Sequence, residues 1–188
     1  MKKTDQSLLE QMRITDFAIT NRKELLFFTK EDETILKNAK PYLENKIGAL
    51  VERFYEMQTS VPDIAVLIGD SDTLARLKTA QHRYILDLFS GYYDMEYVNN
   101  RLRIGLVHKR IGVEPQLYLA AVYTLRQLLR ELIYQELPSD AERIATASSF
   151  QKLLIFDVSL VFDTYIRSMV SEIEVSKSKL ETYARALE

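Results

Sequence analysis

The amino-acid sequence predicts an all-α fold, on three observations. Glycine (5) and proline (4) are scarce in 188 residues, which favours long helices over a turn-rich β protein. The few breakers fall mostly between segments rather than inside them. Within the segments, apolar residues recur at steps of three and four, the period of a helix with one buried face. A hydrophobic content of 47% and a charged content of 28% suit one globular domain with a sizeable core.

Pro41, Pro62, Pro115 and Pro138 each sit where a helix can start, because a first-turn proline lacks only an N–H that has no helical partner. Gly69, Gly91 and Gly112 each close an apolar-periodic segment. Gly48 and Gly105 interrupt helical patterns at about 1 kcal/mol relative to alanine, so close packing is the expected reason for them.

This punctuation predicts about seven helices. A leading segment over about 6–28 carries Leu8, Leu9, Met12, Phe17 and Leu25. A short helix over about 30–40 precedes one from Pro41 to about Gln58, and a brief turn of helix covers Asp63 to Ile68. The next helix opens at Ser71 or Asp72 and runs to Ser90, with Leu74, Leu77, Gln81, Tyr84 and Leu88 on one face. Another spans Asp94 to about Ile111. A long one runs from Pro115 to about Leu137, with Leu117, Ala121, Leu125, Leu128 and Leu132 in register.

The last helix starts after Pro138, with Ser139 or Asp140 as N-cap, and continues for more than forty residues without a breaker. Its final stretch spaces Ile166, Val170, Ile173, Lys177, Leu180, Ala184 and Leu187 by alternating four and three, the seam of a coiled coil. The plainer reading is a frayed terminal helix. A paired seam would make the domain a homodimer and let its last helix transmit motion.

The formal charge of −2 and pI near 5.8 give no electrostatic footprint for nucleic acid or an anionic membrane. No cysteine is present, which excludes disulfides, thiolate metal sites, catalytic thiols and covalently attached c-type haem. The start, MKKTDQSLLEQM, is charged without a following apolar stretch, so no signal peptide is expected. The longest apolar run, Leu153 to Phe162, is broken by Asp157 and too short to span a bilayer. A cytoplasmic location is the expectation.

Only two histidines, His82 and His108, restrict the metal chemistry. Thr79 and Gly105 stand three residues before them, so the Glu-x-x-His pattern of a carboxylate-bridged di-iron site is absent. No H-E-x-x-H motif offers zinc a pair of imidazoles one turn apart. His108 lies late in its helix, with Ile104 and Gly105 one turn back and Ile111 and Gly112 one turn ahead. A glycine there would let a flat ligand press on the helix, and Ile104, Leu106 and Ile111 supply apolar surroundings. This suits an imidazole on haem iron whose other N–H donates to a backbone carbonyl one turn earlier. A lone helical histidine is also commonly a satisfied core or surface residue, and the pattern alone leaves both readings open.

The stretch from Arg101 to Tyr118, RLRIGLVHKRIGVEPQLY, resembles the proximal-histidine motif of the globin-coupled sensors, bacterial signalling proteins with an N-terminal haem-binding globin. The resemblance continues through Phe54 and Tyr55, Leu77 and Lys78 with Tyr84, and Asp87 to Gly91, and covers about residues 30–170. It implies a globin fold with an extra N-terminal helix and no fourth helix. The division it implies is an extension helix over 1–28, a sensor globin over 29–170 and the start of a coiled-coil signalling linker over 171–188.

The same resemblance implies haem b held between the Ser71–Ser90 and Asp94–Ile111 helices. His108 would be the proximal iron ligand and Tyr55 the distal donor to O2, with Gln81 as a second distal donor. Phe54, Leu77, Ala80, Ile104, Gly105, Ile111 and Tyr118 would surround the cofactor. Several relatives carry a polar residue near Ala80, which here offers none. His82 lies about 100° around the helix from Gln81 and is expected to be exposed.

The function implied is oxygen sensing, with NO and CO as other gases, through homodimerisation of the last two long helices. The chain itself would not be an enzyme. Family outputs are diguanylate cyclases, histidine kinases and chemotaxis-type domains; no GGDEF-like or kinase motif occurs here, and a diguanylate cyclase is the favoured output. Two other readings compete. One is a haem-free globin-like interaction module, and the other is a redox protein with a second histidine on the iron.

Overall fold

A computed structural model describes residues 8–186, and every regular element among them is helical. In place of one leading helix, two short ones form: α1 (Leu8–Gln11) and α2 (Asp16–Leu25). Residues 6 and 7 of the expected segment, like 1–5 of the expected extension, lie outside the described residues. The break is at Arg13, whose φ of 54° is left-handed and cannot propagate a right-handed helix. Thr15 then caps α2, its hydroxyl accepting from the Ala18 N–H at 3.2 Å.

Helix α3 (Lys30–Leu43) opens with a reciprocal capping box between Thr29 and Asp32. Pro41 lies in its last turn and does not start a helix as expected. The lost N–H falls at the helix end, and the chain continues through a 3-10 turn (Glu44–Lys46) into α4 (Ile47–Thr59). Pro62 is the first residue of α5 (Pro62–Ile68). Asp70 caps α6 (Ser71–Leu88), accepting from the Thr73 N–H at 2.6 Å. Asp94 does the same for α7 (Met95–Arg110) through Tyr97 at 3.0 Å. Pro115 opens α8 (Pro115–Glu136). The Ser139 hydroxyl accepts from the Glu142 N–H at 3.3 Å ahead of α9 (Asp140–Ala186). Only Gly69 and Asp70 separate α5 from α6, which leaves no room for a further helix between them.

Helix α9 is the spine, packed against α7, α3 and α8, while α4 packs on α6 and α8. The buried faces meet in one core. Leu36 and Leu43 of α3, Ile85 and Leu88 of α6, Leu102 of α7, Ile133 of α8 and Phe156 of α9 have essentially no exposed surface. Burial of such side chains contributes about 1.5–3 kcal/mol each.

The two mid-helix glycines differ. A Cβ on Gly48 would meet nothing within 4 Å, so close packing does not explain it. A Cβ on Gly105 would lie 2.0 Å from Thr164 Oγ1 and 3.0 Å from the Val161 carbonyl oxygen, so α7 and α9 touch there backbone to backbone. Beyond the core, Ile166, Val170, Ile173, Lys177 and Leu180 of the expected seam are exposed, and Leu187 lies outside the described residues. No helix among the described residues is long and apolar enough to cross a membrane.

Candidate functional site

Six helices and the α7–α8 turn enclose a largely apolar cavity of about 410 Å³. α4 contributes Phe54, Tyr55 and Gln58; α6 contributes Leu77, Ala80, Gln81 and Tyr84; α7 contributes Arg101, Arg103, Ile104, Val107 and His108. α5, the α7–α8 turn, α8 and α9 complete the wall, with Ile111, Tyr118 and Asp157 among their residues. The volume falls in the range of small-molecule and cofactor pockets.

His108 is in this wall. Its Nδ1 is 2.8 Å from the Ile104 carbonyl oxygen one turn earlier. A carbonyl only accepts, so Nδ1 carries the proton and Nε2 keeps its lone pair. Burial lowers the His108 pKa, partly opposed by the Ile104 hydrogen bond, and this favours the neutral ring that a metal requires. The Tyr118 ring meets the imidazole edge-on at 5.4 Å and 70°, and packs in turn on Phe162 and Tyr165 of α9. Among the described residues no three His, Asp or Glu converge on a metal position, so an iron bound here would depend on ligands that the protein does not supply.

Tyr55 is 8% exposed, and its hydroxyl makes no hydrogen bond with any described residue. The phenol is therefore not tied to backbone. Burial pushes its pKa up to about 12, so the phenol is a neutral donor. Gln81 lines the cavity and is half-buried; Ala80 lines it too, with no polar atom to offer. Phe54, Leu77, Ile104 and Ile111 are all in the wall. Gly105 is not, and that expectation is corrected. Its missing side chain makes room for Thr164 and Val161 of α9, not for a ligand. His82 is off the cavity wall but half-buried, not exposed as expected.

A buried charge cluster at one end of the cavity went unnoticed in the sequence. Asp157 of α9 accepts from Arg101 Nε at 3.0 Å, from the Tyr97 hydroxyl at 2.9 Å and from the Tyr84 hydroxyl at 3.1 Å. The Arg101 guanidinium lies 3.9 Å from the Tyr97 ring centre and 4.4 Å from that of Tyr84. Burial pushes the Asp157 carboxyl upward against the pull of Arg101, Tyr97 and Tyr84. Burial likewise opposes the Arg101 charge, but Asp157 and the two phenols outweigh it and keep the guanidinium protonated. One signal was in the sequence, since Asp157 is a lone charge in an otherwise apolar run. Arg103, also missed, is exposed in the cavity wall and has no ion-pair partner among the described residues.

Comparisons with known proteins give the family and the fold. The family model described as Protoglobin matches residues 15–171. The "Heme-based aerotactic transducer HemAT" of Halobacterium salinarum is 30% identical over 175 residues, covering 87% of this chain and 36% of that protein. The chain thus spans about a third of that relative's length. Among solved structures, the globin domain of a Geobacter sulfurreducens globin-coupled sensor matches with a TM-score of 0.73 and 26% identity, over 78% of this chain and 96% of that one. The ferrous globin domain of E. coli DosC matches in fold, with a TM-score of 0.67 and 18% identity over 76% and 96%.

Proposed function

The chain belongs to the Protoglobin family, the globins of globin-coupled sensors, and on that premise we propose that it is a haem-b domain reporting a diatomic gas, oxygen foremost, to an output. The observation that carries the reading is the neutral, Nδ1-protonated His108 in the wall of an apolar cavity that also holds the unpartnered Tyr55 phenol.

The donor set fits a haem. His108 offers Nε2 to iron, with ring orientation fixed by the Ile104 carbonyl. Phe54, Leu77, Ala80, Ile104 and Ile111 offer apolar walls, and Arg103 offers a water-accessible cation to the carboxylates of the porphyrin edge. Bound ferrous haem supplies reversible coordination of O2, with NO and CO as alternatives. Around it, Tyr55 donates its phenol proton to the gas, and Gln81 adds a polar group at a half-buried position. Tyr118 passes a displacement of the His108 ring to Phe162 and Tyr165 on α9. The close α7–α9 contact at Gly105 and Thr164 carries movement of the α7 backbone to the same helix. For the output we propose a diguanylate cyclase; the Halobacterium relative is named a transducer.

The test is the visible absorption spectrum of the purified protein. A five-coordinate ferrous spectrum that converts to a stable oxygenated form is expected. A six-coordinate ferrous spectrum without added ligand, or no haem band after reconstitution, would sink the reading. His108→Ala is expected to lose the five-coordinate spectrum. Tyr55→Phe is expected to release oxygen about ten- to a hundredfold faster, the loss of one buried hydrogen bond of roughly 1–3 kcal/mol, read by stopped-flow.

A further inference from the structure

We propose that the Gln58 side-chain amide is a second hydrogen-bond donor to the gas, acting beside Tyr55. The inference rests on the haem-binding reading above and deepens it. Gln58 lies in the last turn of α4, three residues after Tyr55, and therefore on the same side of that helix. It is 6% exposed and is among the residues that line the cavity. Its amide makes no hydrogen bond with any described residue. Yet neither its oxygen nor its nitrogen is among the sealed-off polar atoms, which are Asn99 Oδ1 and Arg101 Nη2. The amide is thus buried from bulk water while its polar atoms retain open space.

A buried amide without a partner is destabilising, because it gives up its hydrogen bonds to water and gains none. Glutamine is a poor choice for such a place unless the occupant of the cavity completes it. Its NH2 group can donate to a ligand that has gained negative charge, and its oxygen can accept from the Tyr55 hydroxyl or a water. Gln81, the other amide in the wall, is half-buried and open to solvent, so water satisfies it at no penalty. The difference in burial assigns the role to Gln58.

The experiment compares wild type with Gln58→Met, Gln81→Met and Tyr55→Phe in the haem-loaded protein. It reads the C–O stretching frequency of the carbon monoxide form by infrared and the oxygen release rate by stopped-flow. Methionine keeps length and bulk while removing the amide. Gln58→Met is expected to raise the C–O frequency and speed oxygen release about two- to tenfold, the worth of one neutral hydrogen bond, and to do both by more than Gln81→Met does. The haem-free Gln58→Met protein is expected to melt no lower than wild type, which separates a ligand contact from a structural one. An unchanged C–O frequency and release rate in Gln58→Met, with Tyr55→Phe altered, overturns the proposal. So does a shift in Gln81→Met alone. Failure of the wild type to take up haem overturns the parent reading instead, and is seen before any variant is compared.

Discussion

A phenol can donate a hydrogen bond only while it keeps its proton, and burial pushes Tyr55 up to about 12. The folded chain therefore holds this proton more tightly than the unfolded chain, where a phenol titrates near 10. The stabilisation is whole below pH 10 and is lost as pH rises from 10 through about 12. Tyr55→Phe has no such proton, so the stability of wild type relative to the variant should fall by up to about 2–3 kcal/mol across that window. Urea denaturation at pH 9 and pH 11.5 checks it, and parallel curves for the two proteins would refute it. That His108 and Tyr55 line one cavity was legible in the sequence, because a dense motif surrounds one and the family resemblance extends to the other. Gly105 was misread because Ile104 and Gly105 are both one turn before His108 yet lie about 100° apart. Only the packed structure shows that Ile104 faces the cavity and Gly105 faces α9.

Most helices were legible because their ends are written in local chemistry. Asp70, Asp94 and Ser139 cap, Pro62 and Pro115 open, and Gly69, Gly91 and Gly112 hold the positive φ that L side chains avoid. Contacts between helices were not legible, since Arg101 and Asp157 meet across 56 residues of sequence. That pair, with Tyr84 and Tyr97, ties α6 and α7 to α9. Asp157→Ala leaves the buried Arg101 guanidinium with only the half-exposed Asp87 carboxylate, 3.7 Å away, and is expected to destabilise the fold by about 3–5 kcal/mol. A loss below 1 kcal/mol on denaturation would show that the cluster does not fasten these helices. Gly105→Ala tests the adjacent contact. Its methyl group would meet Thr164 Oγ1 at 2.0 Å, while that hydroxyl is held 2.7 Å from the Val161 carbonyl oxygen. Overpacking of this kind destabilises by about 1–3 kcal/mol. Adding Thr164→Ala should return part of the loss in thermal melting, because the oxygen in conflict is gone.

At the scale of the molecule, α9 belongs to two environments. From Phe150 to Tyr165 it is core, with Phe150, Leu153, Phe156, Leu160 and Tyr165 buried. From Ile166 onward it leaves the globin, and Ile166, Val170, Ile173 and Leu180 are 57%, 48%, 65% and 66% exposed. An isolated helix gains little from such a stripe, whereas a second copy of the chain would bury it at the three–four spacing of a left-handed coiled coil. The seam also begins one residue past Tyr165, which packs on Tyr118 and so on the His108 side of the cavity. A shift at the imidazole would therefore reach α9 where it passes from core to seam, the place where a small rotation changes how two copies meet. A single charge in the seam tests the pairing without touching the cavity. Ile173→Glu places like charges face to face in a dimer and should bring the sedimentation mass from two chains to one. The haem spectrum and oxygen affinity per site should stay close to those of the unmodified protein. If the mass stays at two chains, the copies associate elsewhere, and the exposed faces of α8 around Leu119 and Tyr123 become the surface to charge next.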